Sequence, residues 1–468
     1  MAPGEAVMRQ QVDARARRVG NGTRGARRLA ALALLVLAAG CGDASNRGTE
    51  YAWLMLGPGG ERIARAITGG DACPALEVDG REVAMQVRAA PEPPLFPVLT
   101  CEASISAAAR RVAVDGVELP LNGPEVSRIA VLGDTGCRLQ TGDPAQSCND
   151  PVAWPFARVA DSIADVLGFL TGDPAGASAA VGGRTVARTL ADAAPQVIVH
   201  VGDYLYREDP CPDGDEGCAG SPYGYDWTTI EADFFAPARP LFRAAPLALT
   251  RGNHESCSRA GDVWFRFLDP RPFDPQCVDY TEPYAIELGN LQLLMFDSSA
   301  ANDTNVDPKQ VALYVPQFAE VARLAGPRSF FVTHRPMWVI GNSGDQNGQE
   351  QLFTGNPTLQ AASGNQLPPT VEMVLAGHVH LFEGLGFDQP RAPQLVIGNG
   401  GTQLSPAVTT PLAGLEVGGA TVAVGETRHD FGFAILDADA GGWAMSLRDV
   451  AGKTTLGCRI DDRTLACR

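Results

Sequence analysis

Five short apolar runs in the chain each end in a loop that carries aspartate, asparagine or histidine. The runs are RIAVLGD, QVIVHVGD, APLALTRGNHE, SFFVTH and VEMVLAGHVH, and longer stretches such as 156–170, which we interpret as a helix, separate them. Apolar runs that alternate with helical stretches are typical of α/β folds built on sheets. Such folds place ligand sites at the ends of their strands. The pattern therefore predicts one site assembled from distant parts of the chain.

The side chains at these strand ends are metal-binding types. The chain has only six histidines, and four of them lie at the strand ends. The candidate residues are Asp134, Asp203, Tyr206, Asn253, His254, His334, His378 and His380. Carboxylate, amide and phenol oxygens together with imidazoles suit zinc, manganese or iron. We therefore expect two adjoining metal sites, whereas His200, inside the second run, we interpret as a core residue.

Each motif also has a simpler interpretation. Asp134 and Asp203 stand beside glycine, where aspartate is a common turn residue after a strand, and Asn253 fits a turn as well. A single GD or HxH is a weak signal for the same reason. Only the whole ordered set indicates a metal centre.

The ordered set resembles the calcineurin-like metallophosphoesterases and, among them, the purple acid phosphatases. Their pattern of GDxG, GDxxY, GNH(D/E), a histidine after an apolar strand, and GHxH is matched over residues 129–381. One departure is Phe331, which stands three residues before His334 where the purple enzymes usually have valine. The resemblance implies an α/β fold in which two β-sheets face each other with helices outside.

The resemblance also implies how two metal ions divide the ligands. One ion would be held by Asp134, Asp203, Tyr206 and His380, and the other by Asp203, Asn253, His334 and His378, with Asp203 as the bridge. His254 would bind no metal and would act beside the phosphate as a proton donor or charge stabiliser. The implied metals are Fe(III), which a tyrosine phenolate prefers, and a divalent Zn, Mn or Fe ion. A di-zinc or di-manganese centre against which Tyr206 only packs is the alternative.

These assignments predict a phosphoesterase. Two metal ions about 3.5 to 4 Å apart lower the pKa of a shared water and neutralise charge on a phosphoryl group, which a metal-bound hydroxide then attacks. We expect a metal-dependent, acid phosphatase-like hydrolase that acts on phosphate monoesters of small molecules or proteins. Arg138 and Arg335 are further candidates for contact with a phosphate oxygen. A phosphodiesterase on the same scaffold and a non-catalytic cell-surface binding protein are the alternatives.

The N-terminal segment has the features of an export signal. Seven arginines precede the apolar run LAALALLVLAA, which ends at Gly40 and Cys41. The run is shorter than the about 20 apolar residues that a membrane span needs, so we interpret 1–41 as a signal peptide. Its last residues, LAAGC, resemble a bacterial lipobox, so Cys41 would carry a lipid that anchors the protein in the cell envelope. A plain secretory signal with a chance cysteine is the alternative.

The rest of the chain divides into three predicted parts: a tether at 42–50, a small N-terminal β domain at 51–124 and a catalytic domain at 125–468. Short alternating stretches such as REVAMQVRAA predict the β structure of the small domain. YAIELGNLQLLMFDSS, later in the chain, predicts a hairpin that turns at Gly289 and Asn290.

The cysteines and the net charge indicate in which compartment the protein works and which partners it can bind. Apart from Cys41, ten cysteines fall in close couples: Cys73 with Cys101, Cys137 with Cys148, Cys211 with Cys218, Cys257 with Cys277 and Cys458 with Cys467. No couple has the CxxC spacing of a zinc knuckle, so disulfides in an oxidising compartment are the better interpretation. Pairing within each couple is the simplest connectivity. The formal net charge of −17 opposes binding to nucleic acid.

Overall fold

The structure is a computed structural model that describes residues 48–157, 184–346, 349–388 and 391–468. The predicted signal peptide and lipobox at 1–41, most of the tether at 42–50 and most of the helix expected at 156–170 lie outside the described residues. Within the described ranges, no helix combines the length and the apolar character that crossing a membrane requires.

The strands, in chain order, are β1 (Thr49–Leu56), β2 (Arg62–Thr68), β3 (Leu76–Val78), β4 (Arg81–Val83), β5 (Gln86–Ala89), β6 (Leu99–Ile105), β7 (Val112–Val114), β8 (Val117–Leu119), β9 (Arg128–Leu132), β10 (Val197–His200), β11 (Leu247–Leu249), β12 (Tyr284–Glu287), β13 (Gln292–Phe296), β14 (Ser329–Thr333), β15 (Val339–Gln346), β16 (Gln349–Gly355), β17 (Val371–Ala376), β18 (Phe382–Phe387), β19 (Gln394–Ile397), β20 (Glu416–Val417), β21 (Ala420–Arg428), β22 (Gly432–Asp439), β23 (Gly442–Asp449), β24 (Thr454–Asp461) and β25 (Thr464–Cys467). The helices are α1 (Val186–Asp192), α2 (Trp227–Ile230), α3 (Arg239–Phe242), α4 (Gly261–Val263), α5 (Pro308–Leu324) and α6 (Pro357–Ser363), with π-helical turns at Glu231–Phe235 and Trp264–Leu268 and a 3-10 turn at Pro58–Gly60.

Two large sheets form the body of the molecule. Sheet 1 has the strand order β25-β24-β23-β22-β9-β10-β11-β1-β2-β6-β5, and sheet 2 has the order β12-β13-β14-β17-β19-β18-β21-β20. In sheet 1, β9, β10 and β11 run parallel; in sheet 2, β13, β14, β17 and β19 do so. Two smaller sheets are the β15–β16 hairpin and the group β4-β3-β7-β8. The hairpin predicted to turn at Gly289 and Asn290 is confirmed by the antiparallel pairing of β12 with β13.

The two large sheets share one hydrophobic core. Side chains that alternate along the central strands, such as Val131 and Val199 of sheet 1 and Val332 and Leu375 of sheet 2, belong to a single buried cluster. The opposite faces are covered as well: Leu132 and its neighbours pack in a cluster with residues of α1 and α3, and Phe331 packs in a cluster with residues of α5. Central strands that are buried on both faces have continuous apolar runs in their sequence. The predicted α/β fold of two facing sheets flanked by helices is confirmed.

The N-terminal β region is joined to this body. β1 pairs in parallel with β11, where Met55 faces Leu247, and β2, β6 and β5 extend the same sheet. The group β4-β3-β7-β8 packs its apolar side chains against Leu54 and Ala64. The β structure expected for 51–124 is therefore present, while the limits of the predicted domains, 51–124 and 125–468, stay predictions.

All five cysteine couples form disulfides within the couple, which confirms the simplest connectivity. The pairs are Cys73–Cys101, Cys137–Cys148, Cys211–Cys218, Cys257–Cys277 and Cys458–Cys467. Such bonds persist in oxidising compartments, so they indicate an exported protein.

Candidate metal centre

The predicted site residues follow the parallel strands of both sheets. Asp134 follows β9, Asp203 and Tyr206 follow β10, and Asn253 and His254 follow β11, all in sheet 1. His334 follows β14, and His378 and His380 follow β17, both in sheet 2. Because the two sheets face each other, these loops meet at one edge of the sandwich.

Four of the side chains form one group, which we call the tyrosine cluster: Asp134, Asp203, Tyr206 and His380. The Tyr206 hydroxyl lies 3.0 Å from Asp134 Oδ1, 2.8 Å from Asp203 Oδ2 and 2.9 Å from His380 Nε2. His380 Nε2 in turn lies 3.6 Å from Asp134 Oδ1. The His380 Nδ1–H donates to the Gln403 carbonyl at 2.8 Å, which turns Nε2 toward the cluster. Three oxygen donors and one nitrogen donor thus converge on one point.

Asp203 also belongs to a second group, the asparagine cluster, with Asn253, His334 and His378. His334 Nε2 lies 3.1 Å from Asp203 Oδ2 and 3.0 Å from Asn253 Oδ1. Ligand atoms of Asp203, His334 and His378 all lie within 4.8 Å of one another. Asp203 Oδ2 therefore contacts the tyrosine cluster through Tyr206 and the asparagine cluster through His334, which is the position that a bridging carboxylate needs.

The donor set fits metal ions on electrostatic grounds. His334 Nδ1–H donates to the Val201 carbonyl at 2.8 Å, so Nε2 is the nitrogen left for a metal, and it faces oxygens of both Asn253 and Asp203. Acceptors that face one another in a buried site repel unless a cation lies between them. Imidazole, carboxylate and amide are ligands of zinc, manganese and iron. The residues therefore suit a metal that draws these lone pairs together.

The pKa values of the buried groups support the same conclusion. Burial, together with the nearby Asp203 carboxylate, raises the pKa of Asp134 well above its usual value. Burial alone would raise that of Asp203 as well, but His334 and His254 hold the pKa of Asp203 well below its usual value. Burial lowers the pKa of His378 to about 4 and that of His380 to about 3, so both rings are neutral near pH 7 and could offer a lone pair to a metal.

The backbone at the site is held in an uncommon conformation. Asp134, Asp203 and His378 have φ values of 56°, 59° and 73°, in the left-handed region that residues other than glycine adopt uncommonly, asparagine, aspartate and histidine more often than the rest. Each such residue costs on the order of 1–3 kcal/mol. Gly202, at φ 103°, also packs so closely on His334 that a Cβ would lie 2.5 Å from Nδ1. Six further described residues other than glycine have a positive φ, among them the turn residues Asp79 and Asp115, so the support for a metal site comes from the converging donor atoms and not from φ.

Two buried carboxylates that sequence reasoning did not single out fix the loops after β9, β10 and β11. Glu255 accepts backbone N–H groups of Tyr204 at 2.8 Å and of Gly252 at 3.1 Å, so it ties the second motif to the third. Asp233 accepts the Cys137 N–H at 3.1 Å and the Tyr206 N–H at 2.8 Å, and it pairs with Arg207 at 2.6 Å. Asp233 and Glu255 thus accept backbone N–H groups that would otherwise need a backbone carbonyl as partner.

His254 stands beside the clusters, oriented by partners that sequence reasoning also missed. Its Nε2 lies 3.9 Å from Asp203 Oδ2, and its Nδ1 lies 3.0 Å from Glu208 Oε1. Arg259 Nη2 lies 2.8 Å from the same nitrogen, and Arg259 pairs with Glu208. Glu208 follows Tyr206 closely in the run GDYLYRE, but no spacing rule marks it as a partner of His254.

Asp303 is another missed residue. Its Oδ2 lies 2.6 Å from His378 Nε2 and pairs with Arg335, whose Nη1 lies 2.9 Å from the same histidine nitrogen. The predicted phosphate contact of Arg335 stays a prediction, and so does that of Arg138, which pairs with Asp143 at 2.6 Å. With Nε2 of His378 bonded to Asp303, Nδ1 is the nitrogen left for a metal.

The structure thus brings all eight predicted site residues to one place, while the assignment of each ligand to one of two ions stays a prediction. His200, which we interpret from the sequence as a core residue, is indeed packed. His200 is buried and stacks on Tyr204 at 4.1 Å between ring centroids. The Tyr204 hydroxyl donates to the Thr250 carbonyl at 3.0 Å and does not reach the clusters.

Comparison with known proteins gives one family match. Residues 127–382 match the model of the family described as calcineurin-like phosphoesterase. No curated protein matches the chain. Among solved structures, one of PhoD aligns with 91% of this chain and 91% of its own at 11% identity and a TM-score of 0.48.

Two further solved structures align less well. GAP50, described as the anchor in the inner membrane complex of Plasmodium, aligns with 72% of this chain and 88% of its own at 12% identity and a TM-score of 0.39. A conserved protein from Streptococcus pneumoniae, described as a predicted phosphoesterase, aligns with 73% of this chain and 98% of its own at 9% identity and a TM-score of 0.24.

Proposed function

The chain belongs to the calcineurin-like phosphoesterase family, whose model matches residues 127–382, and from that membership we propose that it hydrolyses phosphate monoesters. The family membership supports a metal-dependent phosphoester hydrolase. Beyond that, we propose phosphate monoesters as substrates, two metal ions and an acid phosphatase-like centre. It accounts for the whole set of converging side chains, including Tyr206.

One observation carries the proposal: Asp203 Oδ2 lies 2.8 Å from the Tyr206 hydroxyl on one side and 3.1 Å from His334 Nε2 on the other. A carboxylate oxygen shared by two donor clusters is what a pair of neighbouring metal ions requires. Asp134, Tyr206 and His380 would complete the first ion's ligands, and Asn253, His334 and His378 the second's. When bound, the ions supply positive charge that acidifies a water and neutralises a phosphoryl group.

Residues of the chain itself donate the proton and exclude water. Glu208 and Arg259 contact Nδ1 of His254, and Arg259 Nη2 also lies 3.1 Å from its Nε2. This Nε2 lies 3.9 Å from Asp203 Oδ2, at the edge of the clusters. From there His254 donates a proton to the departing alcohol oxygen or steadies its charge. Burial of Asp203 and His334 keeps water away from the ligands, which strengthens every charge interaction at the site.

Tyr206 supports iron as one of the metals. Its hydroxyl is fully buried, and burial next to Asp134 and Asp203 raises its pKa well above the usual value, so ionisation to phenolate needs a strongly acidic cation at the oxygen. Ferric iron is such a cation, and a divalent Zn, Mn or Fe ion would occupy the asparagine cluster. We also propose that the protein reaches the cell envelope through the 1–41 signal and carries a lipid on Cys41, as the sequence pattern indicates.

The test combines metal analysis with turnover. We expect purified protein to contain two metal ions per chain, to absorb in the visible through a ferric phenolate, and to hydrolyse phenyl phosphate faster than diphenyl phosphate. Faster turnover of the diester would favour the phosphodiesterase alternative. Absence of turnover on both, with metals bound, would favour the binding-protein alternative.

Tyr206→Phe separates the metal proposal from the esterase proposal. Loss of the visible band with iron still bound identifies Tyr206 as the ligand. An unchanged spectrum would contradict ferric ligation and leave a di-zinc or di-manganese centre. Tyr204→Phe is the matched control, because that hydroxyl donates to the Thr250 carbonyl and lies outside the clusters.

A further inference from the structure

A cavity of about 430 Å³ opens beside the asparagine cluster. Its lining includes His378 and Asp303 at the metal end and residues of β15 and β16 at the other end. The cavity lies within the range of about 300–1000 Å³ that is usual for small-molecule sites. Since His378 belongs to both the cluster and the cavity, a phosphate ester bound at the metals would extend its alcohol part into this space.

The cavity has an aromatic wall. Phe353 of β16 lines it and keeps 39% of its surface exposed. The Phe353 ring lies directly on the backbone of Gly341, because a Cβ built at Gly341 would come within 2.3 Å of the ring's Cζ. The glycine therefore leaves room for the tip of the ring against β15, and the exposed part of the ring is left for a ligand. Val339 and Val379 add apolar surface nearby.

The charges around the cavity are already paired. Among the described residues that line it, the ionisable side chains are Asp303 and His378, and these bond to each other while Asp303 also pairs with Arg335. A charged alcohol part would find no free partner of opposite charge on these walls and would lose hydration on entry. The lining therefore favours a neutral group.

Asn356 offers a polar contact. It is 1% exposed and lines the cavity, and its Oδ1 accepts the Leu359 N–H at 3.1 Å. Its Nδ2 has no hydrogen-bond partner within the part of the chain that the structure describes. A buried amide N–H without an acceptor is costly, so an acceptor atom on a bound ligand would satisfy it.

We propose that this cavity binds a neutral aromatic group on the alcohol side of the phosphate ester, with Phe353 as the specificity-determining residue. The inference rests on the proposed function, because the phosphate must lie at the metal clusters for the alcohol part to reach Phe353. Ring stacking on the exposed face of Phe353 and the Nδ2 donor of Asn356 then select aryl esters over alkyl esters.

The test uses two competitive inhibitors that share the phosphonate group, phenylphosphonate and methylphosphonate, on the metal-loaded protein. Phe353→Ala should raise the inhibition constant of phenylphosphonate about three- to tenfold, the range expected from an aromatic pair. It should leave that of methylphosphonate within about twofold. Phe353→Tyr keeps the ring and should retain the preference.

Leu352→Ala is the matched control. Leu352 is 36% exposed and adjacent to Phe353, but side chains alternate along β16, and Leu352 does not line the cavity. Equal changes for both phosphonates in Phe353→Ala, or none, would overturn the inference while turnover stays intact. If no ester is hydrolysed, calorimetric binding of the same two phosphonates still measures the ratio, so failure of the esterase proposal is seen separately.

Discussion

The two sheets contribute different chemistry to the site. Loops that follow strands of sheet 1 supply the carboxylates, the phenol and the amide: Asp134, Asp203, Tyr206 and Asn253. Loops that follow strands of sheet 2 supply only imidazoles to the clusters: His334, His378 and His380. The oxygen donors, including both carboxylates, are therefore concentrated on one side and the neutral nitrogens on the other. Burying a charge costs much more than burying a neutral ring, so the sheet 1 side needs the firmer support.

The contacts that hold the loops in place differ between the two sheets. The sheet 1 loops carry the disulfides Cys137–Cys148, Cys211–Cys218 and Cys257–Cys277, and the buried Glu255 and Asp233 accept several of their backbone N–H groups. On the sheet 2 side, each histidine ring has a hydrogen-bond partner that fixes its orientation: the Val201 carbonyl, the Asp303 carboxylate and the Gln403 carbonyl. Within the described residues, no disulfide reaches those loops. One good partner is enough to orient a ring, whereas a charged carboxylate needs the whole loop held.

The largest expected effect comes from the carboxylate that both clusters share. Asp203→Asn should lower kcat/KM by about 10³-fold, because charge stabilisation by the metal pair amounts to several kcal/mol and each 1.4 kcal/mol is about tenfold. Elemental analysis should show loss of both ions. His380→Ala, on the sheet 2 side, should cost one ion of the pair. Equal metal loss in the two variants would contradict the proposed difference between the two sheets.

His254 should matter for turnover and not for metal binding. His254→Gln should lower kcat by about 10²-fold, the usual contribution of a positioned proton donor, with both ions retained. Glu208→Gln should lower kcat by a smaller factor, since the ring stays in place while its partner at Nδ1 loses its charge. A parallel loss of metal in His254→Gln would show that this histidine is a ligand, contrary to the prediction.

Asp303 tests the support on the sheet 2 side. Asp303→Asn should weaken metal binding by about tenfold, the lower end of the effects seen when the hydrogen-bond partner of a metal-bound histidine is removed. Chelator competition on the purified protein measures this. Asp307→Asn is the control, because Asp307 caps α5 and asparagine caps a helix equally well. Metal affinity that is unchanged in both variants would mean that His378 needs no partner to stay oriented.

The sequence identified the ligand candidates because the chemistry of each lies in its own motif. Asp134, Asp203 and His378 follow apolar runs, and parallel strands bring the ends of such runs together. The disulfides were predictable for a similar reason, since each couple lies close along the chain. The order and spacing of residues along the chain were thus enough to identify these parts of the fold and of the site.

The parts that the sequence did not reveal depend on contacts between distant segments. Asp303 lies in a loop without a motif and meets His378 only because β13 and β17 belong to one sheet. Asp233 and Glu255 hold backbone groups, which leave no side-chain pattern in the sequence. The N-terminal strands gave no sign that β1 would pair with β11, since pairing between strands so far apart is set by packing and not by spacing.

The smallest expected effect concerns the disulfides, which distinguish the sheet 1 loops from the sheet 2 loops. Cys257–Cys277 closes the loop next to Asn253 and His254, and Arg251 Nη2 approaches its Cys257 sulfur at 3.5 Å. Replacing both cysteines with serine should weaken metal binding by less than the about tenfold expected at Asp303, because Glu255 still holds the backbone. The same change at Cys458–Cys467, which joins β24 to β25 at the edge of sheet 1, should leave metal affinity unaltered.

Two measurements separate stability from metal binding in these variants. Removing either disulfide should lower the free energy of unfolding by about 2–4 kcal/mol, which thermal unfolding measures. Chelator competition measures the metal affinity, which should fall only in the variant that lacks Cys257–Cys277. If neither replacement changes metal affinity in the folded protein, hydrogen bonds alone hold the sheet 1 loops, and both sides of the site are supported in the same way.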